Sequence, residues 1–407
     1  MVRQPKQLID SLPALALASM LACAPITDAL AFQDEATVRI GVLESQTGTY
    51  APFGLANMWG TLIAFDEINA AGGITVDGKK VKIQVTPDTK GYDAGADPAQ
   101  SISLLKRLLL DDKVLMVKGV SNSNAGTAVF NYLAELEKEG NPIVVHSSSV
   151  GTPGLTKLSQ YAFRNSFIEN ADVINNLVSA AVKDTQAKTA ALFIIKDNPY
   201  YQSVVDKFIL PSLKSAGVEV KVTTDAVTSD RDFSRQVNEI RAANPDLVFV
   251  MAPTLATVNF MKEAKRRQLK PKLFVGNQST VTVEALQSGG DAVEGIVAPG
   301  AFDPQSPQIA KLTAEYKKRT GQDMTFYVVT GYEAGYMIKD AIERSGIKNT
   351  PETLAADRKK FRDAFAVTSI TSPIGQKVAF TADRETPKSG VNLIVKNGQF
   401  VAWKEKS

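Results

Sequence analysis

Hydrophobic residues occur in short, β-branched runs that alternate with longer segments of helical periodicity. VRIGVL at 38–43 predicts a buried strand, and LANMWGTLIAFDEINA at 55–70 predicts a helix that Gly72 and Gly73 end. Further strands of this half are predicted at 81–87, 114–118 and 143–146, and further helices at 97–110 and 125–138. The helix at 97–110 opens on Asp97-Pro98, a capping residue followed by proline at the first helical position.

The same alternation begins again near residue 190. Strands are predicted at 190–196, 218–224, 246–251 and 272–276, and helices at 201–216, 231–243, 256–267, 306–320, 328–345 and 352–365. Near the C-terminus, VNLIV and QFVAW flank Asn397-Gly398, a strong signal for a type I′ hairpin. Because strands that alternate with helices form parallel sheets, the pattern predicts an α/β protein with two doubly wound parallel-sheet units in series.

The first 31 residues have the layout of a secretory signal peptide. Arg3 and Lys6 precede the apolar segment LPALALASMLACAPI, and Ala29-Leu30-Ala31 forms an A-x-A cleavage site. The segment is shorter than the roughly 20 apolar residues of a membrane span. We therefore expect cleavage after Ala31 and export of the mature chain, beginning at Phe32, to the periplasm.

A lipoprotein signal is the alternative. Met20-Leu21-Ala22-Cys23 resembles a lipoprotein box, in which Cys23 would be lipidated after cleavage. Leu21 stands where a smaller residue is usual, and the A-x-A site follows downstream. Cleavage after Ala31 would remove the sole cysteine of the chain, so we expect no disulfide in the mature protein.

Composition excludes several classes of function. With 407 residues, 44% hydrophobic and 22% charged, the chain is typical of a globular protein of two or three domains. The net charge of +3 is spread along the sequence, and the densest basic cluster, KEAKRRQLKPK at 262–272, is predicted to be the exposed end of a helix. No basic stripe indicates nucleic-acid binding.

The sequence contains one histidine, His146. A histidine-rich zinc site and the H-E-x-x-H helix therefore cannot be built, and the G-x-S-x-G, G-x-G-x-x-G and G-x-x-x-x-G-K-[ST] motifs do not occur. We expect neither an enzyme nor a bound metal or cofactor. A hydrolase that uses His146 with a neighbouring serine is a remote alternative.

The loops after the predicted strands are rich in neutral hydrogen-bonding side chains. They read ESQTGTYAPFG, GVSNSNAG and HSSSVGTPG in the first unit, and KDNPYYQS, MAPTLAT and GNQST in the second. Each loop alone could be a cap or a turn. In open parallel sheets, however, ligands bind at the carboxyl ends of the strands, so the six loops together predict a cleft for a small ligand.

The segment SNSN at 121–124 admits two interpretations. Serine and asparagine are favoured as helix N-caps, and a helix N-terminus also offers free N–H groups to an anionic ligand. One cap needs a single such residue, whereas this segment has four. Because it contains no basic residue, it suits a single carboxylate better than a phosphate.

Residues 38–101 resemble the start of the leucine/isoleucine/valine-binding type of periplasmic binding protein. The resemblance rests on T-G-x-Y-A-x-x-G at 47–54, A-x-x-E-I-N-A-A-G-G-I at 64–74 and the Asp-Pro cap at 97–98. It continues through DNPYYQS, RDFSRQVNEIRAANPDLVF and GYEAGYMIKDAI. It implies the solute-binding component of an ABC importer, a monomer that closes over its ligand like a Venus flytrap and delivers it to membrane permease subunits. A ligand-sensing protein of the same fold is the alternative.

The resemblance also implies a division into two lobes joined by three crossovers. Lobe 1 would comprise residues 36–165 and 301–372, and lobe 2 residues 166–300 and 373–407. The crossovers would fall near 164–167, 299–304 and 372–375.

The strand-end loops and the resemblance together give a predicted ligand site. Its residues are Thr49, Tyr50, Phe53, Ser121, Asn122, Ser123, Ser147, Ser148, Ser149, Tyr200, Tyr201, Thr254, Gln278 and Tyr327. By resemblance, Ser123 and the serines at 147–149 hold the ligand's carboxylate. Tyr201, or Tyr200 in a shifted alignment, faces the ligand from lobe 2, and Tyr327 closes over the ligand's side chain.

Position 278 departs from the family pattern. Amino-acid binders place an acid there for the ligand's ammonium group, whereas this chain has Gln278. A buried ammonium without a counter-charge is costly. Either another acid such as Glu44 supplies the charge, or the ligand has no ammonium, as in an organic or aromatic acid or an amide. The sequence favours the second option slightly over an aliphatic amino acid.

Overall fold

The computed structural model describes residues 37–373, 375–388 and 390–403. The predicted signal peptide and Cys23 lie outside these residues. Within the described ranges, no helix is both long enough and apolar enough to cross a membrane.

The strands confirm the predicted alternation, with small shifts at their ends. They are β1 Thr37–Glu44, β2 Ile74–Val76, β3 Lys79–Thr86, β4 Tyr92–Asp93, β5 Met116–Gly119, β6 Val145–Ser147, β7 Ala162–Arg164, β8 Thr189–Ile195, β9 Glu219–Ala226, β10 Leu247–Met251, β11 Leu273–Val275, β12 Val297–Gly300, β13 Ser369–Thr371, β14 Lys377–Ala379, β15 Val391–Lys396 and β16 Gln399–Ala402. The β15–β16 turn confirms the type I′ prediction, because Asn397 and Gly398 have φ angles of 53° and 71°.

The helices also follow the predicted periodicity. They are α1 Ala51–Ala70, α2 Pro98–Leu110, α3 Ser123–Lys138, α4 Ala171–Thr185, α5 Pro199–Val204, α6 Leu210–Ser215, α7 Ser234–Ala243, α8 Thr254–Arg266, α9 Val283–Gly289, α10 Ala310–Thr320, α11 Phe326–Ser345 and α12 Leu354–Ala366. A π-helical turn over 205–209 joins α5 to α6. The Asp97 side chain caps α2 as predicted, by accepting a hydrogen bond from Ala99 N at 2.8 Å. The sequence did not predict α4 or α9.

The strands form two principal sheets, which confirms the doubly wound α/β class. Sheet 1 has the order β2–β3–β1–β5–β6–β7, with β4 paired to the end of β1, and only β2–β3 is antiparallel. Sheet 2 has the order β16–β15–β12–β11–β10–β8–β9, with antiparallel pairing confined to β12–β15 and β15–β16. The sequence predicted the parallel centres and the antiparallel β15–β16 hairpin, but not the antiparallel β2–β3 and β12–β15 pairs. We call sheet 1 with its packed helices lobe 1, and sheet 2 with its packed helices lobe 2.

Each sheet lies in its own apolar core. Val38, Leu108 and Phe130 are completely buried around sheet 1, and Leu192 and Phe260 are completely buried around sheet 2. Helix α11 belongs to both cores, since its first residues pack with lobe 2 and its residues 337–342 pack with lobe 1. It therefore carries its N-terminal side chains to the junction of the lobes.

The third passage between the lobes lies later than predicted. Val378 of β14 packs in the core of lobe 1, and Phe380 packs against it, so the chain still belongs to that lobe at β14. The chain reaches β15 of sheet 2 only at Val391. Arg164, at the end of β7, fixes the intervening segment through an ion pair with Glu385 at 2.5 Å. The other predicted lobe boundaries stay predictions.

Candidate ligand-binding cleft

Loops from the carboxyl ends of both sheets meet in one cleft. Its lining residues are Tyr50, Phe53, Ser121, Asn122, Ser123, Ser149, Gly151, Asn198, Tyr200, Tyr201, Gln278, Ser279 and Tyr327. Gly151, Asn198 and Ser279 were not predicted, although all three lie in the strand-end loops that the sequence singled out. The structure thus gathers side chains that are more than 200 residues apart in the chain.

Four predicted site residues lie outside this lining. The Ser147 hydroxyl donates to Val120 O at 2.6 Å, and the Thr254 hydroxyl donates to Ser279 O at 2.7 Å, so both shape the loops around the cleft. Ser148 is completely buried, and its Oγ has no hydrogen-bond partner in the described part of the chain. Thr49 is partly exposed just before α1.

The N-terminus of α3 serves as a capped helix end and also leaves donors unused. Asn122 is the N-cap, because its Oδ1 accepts a hydrogen bond from Ala125 N at 2.9 Å. Its Nδ2 is buried and has no partner among the described residues. Ser123 Oγ accepts weak hydrogen bonds from Gly151 N at 3.3 Å and Thr152 N at 3.4 Å. Neither bond uses the hydroxyl hydrogen, which can still be donated to another acceptor. The cap interpretation of the SNSN segment is therefore confirmed, and the ligand-binding interpretation stays a prediction.

Ser121 and Glu44 are committed to a buried network. Glu44 Oε1 accepts from Lys118 Nζ at 2.5 Å, and both side chains are completely buried. Lys118 lies opposite Val42 in the β1–β5 register, so Glu44, two residues further along β1, projects on the same face. Ser121 Oγ donates to Glu44 Oε2 and accepts from Ser45 N. The negative charge of Glu44 is thus already balanced by Lys118 within the protein.

The lobe 2 wall offers a free acceptor. Gln278 Nε2 donates to the Tyr200 hydroxyl at 2.9 Å, whereas Gln278 Oε1 has no partner within the described residues. The Tyr201 hydroxyl lies 3.3 Å from Ser279 Oγ. Burial raises the pKa of Tyr201 well above its ordinary value, so its phenol stays neutral.

Aromatic rings form the apolar part of the cleft. Phe53 stacks on Tyr327 with ring centroids 5.3 Å apart and an interplanar angle of 30°. The Tyr50 ring lies 5.6 Å from Phe53, and Tyr200 and Tyr201 are 4.9 Å apart. This surface suits an apolar or aromatic group on a ligand.

The two lobes approach each other closely across the cleft. Asn198 Nδ2 donates to the Tyr50 hydroxyl at 3.0 Å. At Gly151, a Cβ atom would lie 2.7 Å from the Tyr200 ring and 2.8 Å from Gln278 Nε2, so only glycine fits there without displacing a neighbour. The space between them in the cleft measures about 20 Å³, roughly enough for one water molecule.

Glu169 is a buried acid that the sequence reasoning missed. It follows β7 in the segment that leads to α4, is 1% exposed, and accepts a hydrogen bond from Gln278 N at 3.1 Å through Oε1. Its Oε2 has no partner in the described ranges. Burial raises the pKa of this carboxyl to about 8, against a lowering by the Gln278 N–H bond. No strand-end motif marks the position, so only the fold reveals it.

His146 does not form the pair that a hydrolase requires. Its ring packs edge-on against Phe365 at 5.0 Å, and neither ring nitrogen has a hydrogen-bond partner in the described part of the molecule. Burial lowers its pKa well below the ordinary value, and Lys118 and Lys388 add to the effect. Among the residues that the structure describes, none forms the nucleophile–base hydrogen bond with His146 that such a hydrolase needs.

Comparisons with known proteins agree with this architecture. A 25% identical relative over 344 residues, covering 83% of this chain and 84% of its own length, is the leucine-, isoleucine-, valine-, threonine- and alanine-binding protein of Pseudomonas aeruginosa. A branched-chain amino acid transporter substrate binding protein from Streptococcus pneumoniae, in complex with isoleucine, superposes with a TM-score of 0.76 at 23% identity, over 89% of this chain and 97% of its own.

A second solved structure shares the fold but holds a different ligand. The solute binding protein of an ABC transporter from Rhodopseudomonas palustris, in complex with 3,4-dihydroxybenzoic acid, has a TM-score of 0.74 at 22% identity, over 90% of this chain and 95% of its own. The family profile described as "Periplasmic binding protein" matches residues 37–395. Since that match spans most of the sequence and both sheets, this chain belongs to the periplasmic binding protein family.

Proposed function

We propose that this protein is the solute-binding component of an ABC importer of the branched-chain amino acid type. It binds a small carboxylate-bearing ligand between its lobes in the periplasm and delivers that ligand, as a monomer, to membrane permease subunits. The observation that carries the proposal is the N-terminus of α3, where Asn122 and Ser123 retain buried hydrogen-bond donors inside the cleft. The ligands of the two structural neighbours, isoleucine and 3,4-dihydroxybenzoic acid, both bear a carboxylate.

The electrostatics of this helix end suit one negative charge. The first N–H groups of an α-helix lack intrahelical partners, and the helix dipole places partial positive charge there. The Asn122 cap satisfies only the Ala125 N–H, and its own Nδ2 remains available. A carboxylate has two oxygens and accepts several such bonds, so it matches this set of donors.

Ligand entry requires the lobes to separate. Pockets for small molecules usually measure about 300–1,000 Å³, far more than the roughly 20 Å³ available in this cleft. The segments that connect the two sheets are the natural hinges, because domain closure is absorbed by a few residues between rigid elements. Closure is driven by the contacts that a ligand makes with both lobes, such as the α3 end and the Gln278 wall.

A ligand screen by thermal shift tests the proposal. The panel contains leucine, isoleucine, phenylalanine, benzoate and 4-hydroxybenzoate, with leucinamide and benzamide as matched compounds that lack the carboxylate. A ligand of the native state stabilises it by RT ln(1 + [L]/Kd), about 2.7 kcal/mol at a hundredfold excess over Kd. We expect one or more acids to raise the Tm and their amides to have no effect. Equal shifts by an acid and its amide, or no shift by any compound, would refute the proposal.

The variant Ser123→Ala then tests the proposed carboxylate contact at the N-terminus of α3, with a ligand that binds in the screen. A hydrogen bond to a charged group contributes about 1.5–3 kcal/mol, so its loss should weaken binding roughly ten- to a hundredfold. Ser101→Ala is the control, because Ser101 is also buried in lobe 1 but its hydroxyl donates at 3.0 Å to the carbonyl oxygen of Asp97, the N-cap of α2. Equal affinities of wild type and Ser123→Ala in isothermal titration would exclude a ligand contact at this hydroxyl.

A further inference from the structure

A second pocket, of about 340 Å³, lies between the two lobes and shares no lining residue with the ligand-binding cleft. Lobe 1 contributes Pro52 and Leu55 of α1, and lobe 2 contributes Leu255 of α8 and Val283 of α9. Pockets for small molecules usually measure about 300–1,000 Å³. This pocket therefore has room for a small ligand while the cleft itself is closed.

The pocket depends on the approach of the lobes. Ala51, a lining residue, directly follows Tyr50, whose hydroxyl accepts a hydrogen bond from Asn198 of lobe 2 at 3.0 Å. Separation of the lobes would break this bond and would part the two apolar walls of the pocket. A molecule bound there would therefore favour the closed arrangement.

Glu284 places a carboxylate at the lobe 2 wall. It lies in the first turn of α9 and lines the pocket, and its Oε1 accepts a hydrogen bond from Ser288 Oγ at 2.5 Å. The helix dipole favours an acid at this position. However, no lysine or arginine among the described residues forms an ion pair with Glu284, whereas Glu263 of the neighbouring α8 pairs with Arg266 at 2.7 Å. The Glu284 carboxylate is therefore free to pair with a cationic ligand.

Thr325 supplies a second unused acceptor. This lining residue is 5% exposed, and its Oγ1 has no hydrogen-bond partner in the described ranges. The exposed amides of Gln287 and Gln322, which also line the pocket, bond to each other at 3.4 Å. A primary ammonium group has three N–H donors and no acceptor, so it matches a carboxylate and a free hydroxyl oxygen.

We propose that this pocket is a second ligand site, which takes a small primary amine whose apolar body packs on Leu55 and Leu255 and whose ammonium group pairs with Glu284. The inference goes beyond the proposed function, because this ligand needs no carboxylate and binds outside the cleft. Since both ligands favour closed lobes, each should raise the affinity for the other by the same factor.

A matched pair of probes tests the role of the charge. Cyclohexylmethylamine and cyclohexylmethanol have the same apolar body, and ligand-observed NMR titrations at pH 7 give their affinities. A partly exposed ion pair contributes modestly, so wild type should bind the amine about three- to fivefold more tightly than the alcohol. Glu284→Gln should remove this preference. Equal binding of the two probes by wild type, or an unchanged preference in Glu284→Gln, would overturn the proposal.

Two further variants control for the position of the site. Glu239→Gln removes an acid on the surface of lobe 2 that already pairs with Arg235 at 2.8 Å, and it should leave the preference for the amine unchanged. Val283→Trp adds a large side chain at a half-buried lining position, so it should fill the pocket and abolish binding of both probes. Retained binding of both probes by Val283→Trp would place them elsewhere and overturn the assignment.

The coupling between the two sites is measured with an acid that binds in the thermal-shift screen. At saturating acid, the amine should bind wild type about fivefold more tightly. Weaker binding would show competition in the cleft, and unchanged binding would show a site that does not require closure; either result would overturn the proposal. If no acid binds, the proposed function fails, while the two probes with wild type and Glu284→Gln still decide on the second site.

Discussion

Removal of Lys118 should expose the energetic cost of the buried network at the carboxyl ends of β1 and β5. Lys118 Nζ lies 2.5 Å from Glu44 Oε1, and both side chains are completely buried. The variant Lys118→Met keeps most of the aliphatic volume but leaves the Glu44 carboxylate in the core without its counter-charge.

The structure sets the size of the effect. A carboxylate that loses its partner in a buried ion pair destabilises a protein by about 3–5 kcal/mol, because it has neither water nor an opposite charge. The hydrogen bond from the Ser121 hydroxyl remains, so the loss should fall toward the lower end of that range. The double variant Lys118→Met with Glu44→Gln removes the stranded charge and should recover at least half of the loss.

Urea denaturation of the free protein measures these differences. Lys138→Met is the control, because Lys138 pairs with Glu135 at 3.0 Å on the surface, where both side chains are more than half exposed, and its loss should leave the free energy of unfolding nearly unchanged. A Lys118→Met variant that unfolds within about 1 kcal/mol of wild type would refute the reasoning. So would a double variant no more stable than the single one.

Three further predictions concern export, closure and pH. Mass spectrometry of the periplasmic protein should find Phe32 at the N-terminus, whereas a lipidated Cys23 would contradict cleavage after Ala31. Small-angle scattering should show compaction of wild type on addition of a tight ligand. Gly151→Ala should compact less and bind more weakly, because the added Cβ would lie 2.7 Å from the Tyr200 ring; unchanged affinity would exclude this contact from closure. Burial raises the Glu169 pKa from 4.5 to about 8, so the native state holds one more proton than the unfolded chain between these values, and stability falls as pH rises through this window. Glu169→Gln should remove up to about 1.4 kcal/mol per pH unit of that fall between pH 5.5 and 7.5, and parallel curves for the two proteins would contradict it.

The sequence by itself determined the elements whose causes are local. Helical and strand periodicity, the Asp97-Pro98 cap and the Asn397-Gly398 turn depend on neighbours within a few residues, and the structure contains each of them. The strand-end rule then brought five of the six predicted loops to one cleft, because parallel strands end at the same edge of a sheet, whereas the loop at 251–257 contributes no lining residue. Short edge strands such as β2 and β4 were missed, because two or three residues carry too little periodicity to be recognised.

Only the tertiary structure decided how the polar residues divide their roles. Ser121 and Ser123 are two positions apart and chemically identical. The Ser121 hydroxyl donates its hydrogen bond to Glu44, whereas the Ser123 hydroxyl acts only as an acceptor and can still donate in the cleft. Glu44 and Lys118 are 74 residues apart, and the β1–β5 register makes them an ion pair. Glu169 reaches Gln278 across 109 residues. Burial and long-range partners set the charge and availability of a polar group, and both arise only when distant segments pack together.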